Sequence, residues 1–246
     1  MPALRHPTLA AFTANQGMPK EGWIVMQLDV YLDTICPWCL IGKRRLEQAL
    51  ELWQGQQLPR IRWRAYQLNP EMPPEGMDRK SYLRMKFGSD QGAQRVYRSI
   101  AETAAEEGLN FNFDAIQRTP NTLESHRLLR FAERHGLQDQ LLERLFQGYF
   151  LEGANLGNSA VLIRLARESG LPGREVEAYL ASDEERYAIR QEDTQARMNG
   201  IVGVPCFLGN GRYALPGAQP PEALVRLFEL MQQDGHTATE PADSSV

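Results

Sequence analysis

The chain has 246 residues, of which 42% are hydrophobic and 24% charged. At roughly 150 residues per domain this makes one large domain, or one domain with a sizeable insertion, and excludes a mainly disordered chain. Its 27 basic and 31 acidic residues sum to −4, which offers no basic face to nucleic acid, and three cysteines are too few for a disulfide framework.

Residues 1–25 read as an N-terminal extension that is expected to be disordered. Arg5 and His6 precede a weak apolar patch, Leu9 to Phe12, shorter than the about 7–15 apolar residues of a secretory signal. Met18 and Met26 lie near the first strand and are alternative starts to Met1. With no export signal read, the reducing cytoplasm is the expected location. No apolar run approaches the roughly 20 residues that cross a bilayer, so no membrane partner is expected.

The run Gln27 to Asp33 alternates as a strand does. A helix follows, with Ile41, Leu46, Leu50 and Trp53 on one face and Lys43, Arg44, Arg45 and Glu47 on the other. The three basic residues read as a solvated face, or as one that greets acidic partners or glutathione. Ile61 to Leu68 predicts a second strand, and Asn69 to Pro74 breaks regular structure. Strand, helix, strand implies a parallel crossover, the start of an α/β layer.

From Asp78 to Asn199 the pattern turns helical. Leu128, Leu129, Phe131 and Ala132 lead to Gly136, a C-terminal stop. Leu141, Leu142, Leu145, Phe146, Tyr149 and Phe150 form the strongest apolar stripe and read as core. Asn158-Ser159 opens the next helix and Gly170-Leu171-Pro172 closes it. Ser182 with Glu185 predicts a capping box before a polar helix to Met198. Pro205 to Leu208 and Arg212 to Leu215 then flank Gly209-Asn210-Gly211, a hairpin signal. These glycines, with Ala214, formally match a dinucleotide-binding fingerprint, but a strand follows them where that motif needs a helix. Pro220-Pro221 opens a last helix through Met231, and 235–246 reads as a disordered tail.

Cys36-Pro37-Trp38-Cys39 stands where the first strand hands over to the first helix. A helix N-terminus carries about half a positive charge and free N–H donors, which favour a thiolate. In such motifs a thiol pKa of about 8.5 falls to about 3.5–7.5, each unit being about 1.4 kcal/mol. Pro37 suits the first turn because its missing N–H has no partner there. Cys39, three positions on, shares the face and can close a short disulfide. A zinc half-site and a pair of inert buried thiols compete with thiol–disulfide exchange. Zinc would need further ligands, and only Cys206 and four scattered histidines remain, so no metal is expected. A non-enzymatic thiol sensor would use the same disulfide chemistry.

Cys36-Pro37-Trp38-Cys39 with Leu40-Ile41-Gly42-Lys43, Gly203-Val204-Pro205 and Gly217-Ala218-Gln219-Pro220-Pro221 resembles the DsbA-like thioredoxin family. Pro120-Asn121-Thr122, Ser125 to Leu128 and Tyr149-Phe150 resemble its FrnE-like oxidoreductase branch. The likeness runs from about residue 27 to 234. It implies an α/β thioredoxin fold, formed by 26–77 and 200–234, with a large all-helical insertion, 78–199, between the second and third strands. It further implies that Cys36 is an exposed nucleophile, that Cys39 resolves the mixed disulfide, and that Pro205 is cis, as only about 5–6% of X–Pro bonds are. Val204 would then pair by its backbone with a substrate segment.

Other residues carry weaker signals. Cys206 is a buried small hydrophobe or a third redox thiol. Asp33 is a solvated acid, or it tunes the thiolate or shuttles a proton, and His126 orients the helical block through a hydrogen bond or acts as a base. Asn121 caps a helix or touches a bound small molecule, as its counterpart does in related glutathione-dependent isomerases. Trp38 replaces the histidine of the strongly oxidising relatives, so a less oxidising pair is expected, at ~30 mV per 1.4 kcal/mol. The resulting expectation is a cytoplasmic protein-disulfide oxidoreductase with no tightly bound cofactor. Its partners would be disulfide-containing proteins or small thiols, with glutathione or another thiol as co-substrate. The enzyme rival is a kappa-type glutathione-dependent isomerase or transferase, related to 2-hydroxychromene-2-carboxylate isomerase, which typically has serine at the place of Cys36. The non-enzyme rival is a redox-sensing binding module.

Overall fold

In the computed structural model, which describes residues 26–55 and 57–237, strand β1 (Gln27–Leu32) lies at the centre of a four-stranded sheet. Leu28, Val30 and Leu32 are buried along it. Helix α1 (Pro37–Leu52) returns the chain to β2 (Arg60–Ala65), parallel to β1 with Gln27 opposite Arg60 and Leu32 opposite Ala65. This is the expected crossover. The sheet order is β2, β1, β5, β6, with β5 (Cys206–Gly209) antiparallel to β1 and β6 (Tyr213–Pro216) antiparallel to β5. Asn210 and Gly211, both at positive φ, turn the hairpin, and the Asn210 side chain bonds Gln27 N and Met231 O.

Strand β2 stops at Ala65, short of the expected Leu68. Carboxylates take over from the ladder there: Gln67 N donates to Asp193 at 2.8 Å and Leu68 N to Asp33 at 2.7 Å. Backbone donors satisfied by side chains no longer hold a strand in register.

The insertion holds α2 (Arg79–Phe87), α3 (Asp90–Glu106), α4 (Leu123–Arg134), α5 (Gln138–Phe150), α6 (Ser159–Glu168), α7 (Gly173–Ala181) and α8 (Arg186–Met198). A two-residue ribbon, β3 (Met77–Asp78) against β4 (Arg118–Thr119), adds a small strand element to this helical block. Asn158 caps α6 as expected, accepting from Ala160 N and Val161 N. The Ser182–Glu185 capping box does not form. Ser182 closes α7, bonding Tyr179 O, while Glu185 sits at φ 62 and accepts from Tyr179 OH at 2.6 Å. A nearby tyrosine hydroxyl outcompetes the helix N-terminus for that carboxylate. The last helix, α9 (Pro221–Thr237), runs six residues beyond Met231, so the first three residues expected in the tail are helical backbone. The remaining tail, 238–246, and the N-terminal extension, 1–25, lie outside the described residues.

Helix α1 lies between two layers. Ile41, Leu46, Ala49 and Leu50 are buried on the apolar side, where α9 packs and Trp53 meets Phe228 edge to face at 5.7 Å. The side expected to be solvated is also buried. The Lys43 side chain has no exposure and faces Glu47, Asp139 and Glu143 at 2.5, 3.3 and 3.2 Å. Arg44 bonds Glu47 and Glu143, and Arg45 bonds Glu107 and the Ala218 carbonyl. The basic triplet ties α1 to the insertion because α5 and the C-cap of α3 present acids to it. One hydrophobic cluster runs through both parts, from Leu28 and Ile41 to Phe146 and Leu165.

Candidate active site

Cys36 is the N-cap of α1, in extended backbone, with Pro37 in the first turn. Its N–H donates to Asp33 O and its carbonyl accepts from Cys39 N, both at 3.0 Å. Cys36 thus stands at the positive end of the helix, though its side chain makes no cap hydrogen bond to the first-turn N–H groups. Cys36, Cys39 and Cys206 are free thiols.

Burial pushes the Cys39 thiol well above its ordinary range, the hydrogen bond and charge of Cys36 push it further, and the backbone of Asp33 pulls it partly back. Cys39 therefore keeps its proton while its neighbour sits on the positive end of a helix. That asymmetry divides the pair into an attacking and a waiting sulfur.

Cys36 is buried, at 3% exposure, where an exposed thiol was expected. The loop before β5 covers it: Val204 O lies 3.6 Å from Cys36 Sγ, accepting the thiol hydrogen, and the Val204–Pro205 bond is cis. Gly42 lets this loop approach. A Cβ there would fall 2.9 Å from Pro205 Cγ and 3.4 Å from Phe207 Cζ, inside ordinary contact. Trp38, half-buried, packs on the main core.

The structure thus gathers Cys36, Pro37, Trp38, Cys39, Val204 and Pro205. Asn121 lies just before α4. Its amide donates to Met72 O and accepts from Leu123 N and Gln67 Nε2. Cys206 faces away, into a separate small cluster with Tyr66, Ala196 and Ile201, and burial raises its pKa. Among the described residues, no group of three or more His, Cys, Asp or Glu is placed to hold a metal ion.

Asp33 is the largest departure. It is wholly buried rather than solvated, bonding Leu68 N, with His126 Nε2 3.4 Å from its other oxygen. Thr34 Oγ1 and Ser125 Oγ meet at 2.8 Å beside it, so α4 is fastened to the strand end that carries the thiols. The sequence marks Asp33 only by its place within the apolar stretch Val30–Ile35. Gly42 carries no such mark, because its role depends on a loop 163 positions away, as 205 minus 42.

With these features in view, the chain belongs to the DSBA-like thioredoxin domain family, whose sequence model matches residues 27–229. It is a thiol–disulfide oxidoreductase of that family. A probable DsbA oxidoreductase from Streptomyces coelicolor superposes with a TM-score of 0.77 at 28% identity, covering 89% of this chain and 94% of the other. The uncharacterized protein YwbO of Bacillus subtilis (strain 168) is 26% identical over 200 residues, 79% of this chain and 92% of that one. A cytosolic disulfide reductase, DsbM from Pseudomonas aeruginosa, solved with GSH, shares the fold at TM-score 0.60 and 21% identity, over 84% of this chain and 99% of the other. A 2-hydroxychromene-2-carboxylate isomerase shares it at 0.56 and 15%, over 89% and 99%.

Proposed function

We propose that the protein reduces or reshuffles disulfides in a reducing cytoplasm, with glutathione or another small thiol as co-substrate. Its place within the family is the FrnE-like branch, and the thioredoxin-like part spans 26–77 and 200–234 around the 78–199 insertion. Cys36 attacks a substrate disulfide, forming a mixed disulfide and releasing one substrate thiol. Cys39 then attacks Cys36 Sγ, closing the Cys36–Cys39 bond and releasing the second. Two molecules of a small thiol return the pair to the reduced state in two successive exchanges and leave as their own disulfide.

The carrying observation is the contact between Cys36 Sγ and Val204 O. A thiol donates to that carbonyl, whereas a thiolate repels it. Ionisation of Cys36 therefore frees the Val204 carbonyl for the N–H of an extended substrate segment, which can add as a strand beside Pro205. Substrate backbone and substrate sulfur reach the same place together. The reducing direction is supported by Trp38, which brings no positive charge to the thiolate. It is also supported by the likeness to a cytosolic reductase solved with GSH.

The Cys39→Ala variant, incubated with extract, accumulates mixed disulfides on Cys36, identified by mass spectrometry after reduction. In the insulin-reduction assay with glutathione, Cys39→Ser loses turnover. A kappa-type isomerase or transferase needs only the first position, and under that reading Cys39→Ser retains full activity. A redox-sensing module catalyses no insulin reduction at all, yet changes partners on oxidation.

A further inference from the structure

Arg79 opens α2 at 8% exposure, its backbone N–H donating to Gln117 O beside the β3–β4 ribbon. Among the described residues two other Lys or Arg side chains are buried, Lys43 and Arg127, and each meets a carboxylate. Arg79 meets none within 4.0 Å among those residues. Its guanidinium donates to Thr119 Oγ1 at 3.0 Å and to Tyr97 Oη at 2.6 Å, and lies over the Tyr97 and Tyr82 rings at 5.2 and 5.8 Å. Burial raises the Tyr97 hydroxyl above its ordinary range, so that phenol keeps its proton and supplies no negative charge. A guanidinium has about five N–H donors, and these two bonds leave the rest unused and the charge unmatched. A buried charge is costly without a counter-charge, and folds seldom keep one alone.

Arg79 also lines a cavity of about 560 Å³ between α2, α3 and the helical turn Phe113–Ala115, within the about 300–1,000 Å³ usual for small-molecule sites. Leu83, Ala93, Tyr97, Phe113 and Ile116 make its apolar wall, with the Tyr97 and Phe113 rings edge to face at 4.6 Å. The other charges around it are exposed, Lys80 and Arg84 against Asp78, Asp90 and Asp114. Asp90 is paired with Arg84 at 2.7 Å, and Asp78 caps α2 by accepting from Ser81 N. None of Cys36, Cys39, Val204 or Pro205 lines this cavity, so it is a second site, apart from the thiol pair.

We propose that this cavity binds a small organic monocarboxylate with a flat apolar body, anchored by Arg79. The carboxylate supplies the missing counter-charge and accepts from the guanidinium N–H groups that Thr119 and Tyr97 leave over, a charge-assisted and planar match. The apolar body lies against Tyr97, Phe113 and Ile116. One negative charge fits because Arg79 is the one buried cation on the wall. A phosphate dianion would bring a second charge among Asp78, Asp90 and Asp114 with no second buried cation to meet it.

Calorimetric titration of the reduced, full-length protein tests this, with benzoate as the probe, benzamide as its neutral counterpart and phenyl phosphate as the dianion. Benzoate is expected to bind once per chain with a Kd of about 1 mM or tighter, and the other two at least about tenfold more weakly. Arg79→Met is expected to erase the preference for benzoate over benzamide. Gln94→Trp alters an exposed wall residue, leaves Arg79 in place and fills the cavity. It is expected to weaken benzoate about tenfold or more while the thermal midpoint and thiol exchange hold, and it decides the matter if Arg79→Met does not fold. In amide NMR spectra benzoate should shift residues 79–97 and 113–117 and leave 36–39 unmoved. Equal affinity for benzoate and benzamide, tighter binding of phenyl phosphate, or benzoate binding indifferent to Gln94→Trp overturns the proposal. So does a lack of saturable benzoate binding by about 10 mM.

Discussion

Helix α1 is held on its two sides by opposite means. Toward the sheet and α9 it buries Ile41, Leu46, Ala49 and Leu50, which need no partner beyond close packing. Toward α3 and α5 it buries Lys43 and places Arg44 and Arg45 among Glu47, Glu107, Asp139 and Glu143, where each charge depends on the others. The apolar side tolerates loss in proportion to the volume removed. The ionic side tolerates little, because a missing charge leaves its partners stranded in low dielectric. Both sides anchor the helix whose first turn carries Cys36.

The sharpest way to break this contrast is Lys43→Ala, which leaves three buried carboxylates together. It is expected to cost about 3–5 kcal/mol in chemical denaturation. Leu46→Ala on the opposite side, also fully buried, is expected to cost about 2–5 kcal/mol in the same measurement. A Lys43→Ala cost no larger than that of an exposed lysine would remove the distinction.

Proton linkage separates the two sides further, since only one of them titrates. Lys43 and Arg44 hold Glu143 down to about 2 from 4.5, against the opposing effect of its burial. A depressed acid contributes stability that is present above its unfolded value and lost as pH falls through its folded one. Glu143 alone thus supplies on the order of 3 kcal/mol that disappears between about pH 4.5 and 2. Asp139, pushed up by burial, works in the other direction. Lys43 is raised to about 12 by Asp139, Glu47 and Glu143, so its contribution is full below 10.5 and lost as pH rises through 12. Thermal melts across pH should show both flanks, and Glu143→Gln should flatten the acid one.

A smaller effect is expected from Gly42→Ala. The new methyl meets the Pro205 ring, an overpacking cost of about 1–3 kcal/mol, while helix propensity returns about 1 kcal/mol. The midpoint should drop only about 2–4 °C for each net kcal/mol, but the exchange rate should fall more, because the displaced loop carries Val204. Smallest of all, Cys206→Ala should leave exchange within about twofold, since its sulfur lies in a cluster away from Cys36. A large loss there would restore a redox role to the third thiol.

Elements that follow from local rules were legible in the sequence. The crossover from β1 through α1 to β2, the Asn210-Gly211 hairpin and the Asn158 cap all appear where alternation and turn chemistry place them. The thiol pair was legible too, since a strand–helix junction and a first-turn proline are local features. Asp33, Lys43 and His126 were not. A charged side chain looks the same in a sequence whether water or another charge faces it, and here Lys43 meets acids on α5 and Asp33 meets His126 on α4, each pair far apart along the chain. The Ser182–Glu185 pattern misled because its glutamate had two competitors the capping motif does not encode, the nearby Tyr179 hydroxyl and the distant Arg134.

The central claim is that two neighbouring, equally covered sulfurs have different jobs because one caps the helix start and the other is held protonated. Timed alkylation of the reduced protein at neutral pH, with peptide mapping of each cysteine, addresses it directly. The account predicts rapid modification of Cys36, while Cys39 and Cys206 remain unmodified until the protein unfolds. Label arriving first on Cys39, or at equal rates on all three, would contradict it.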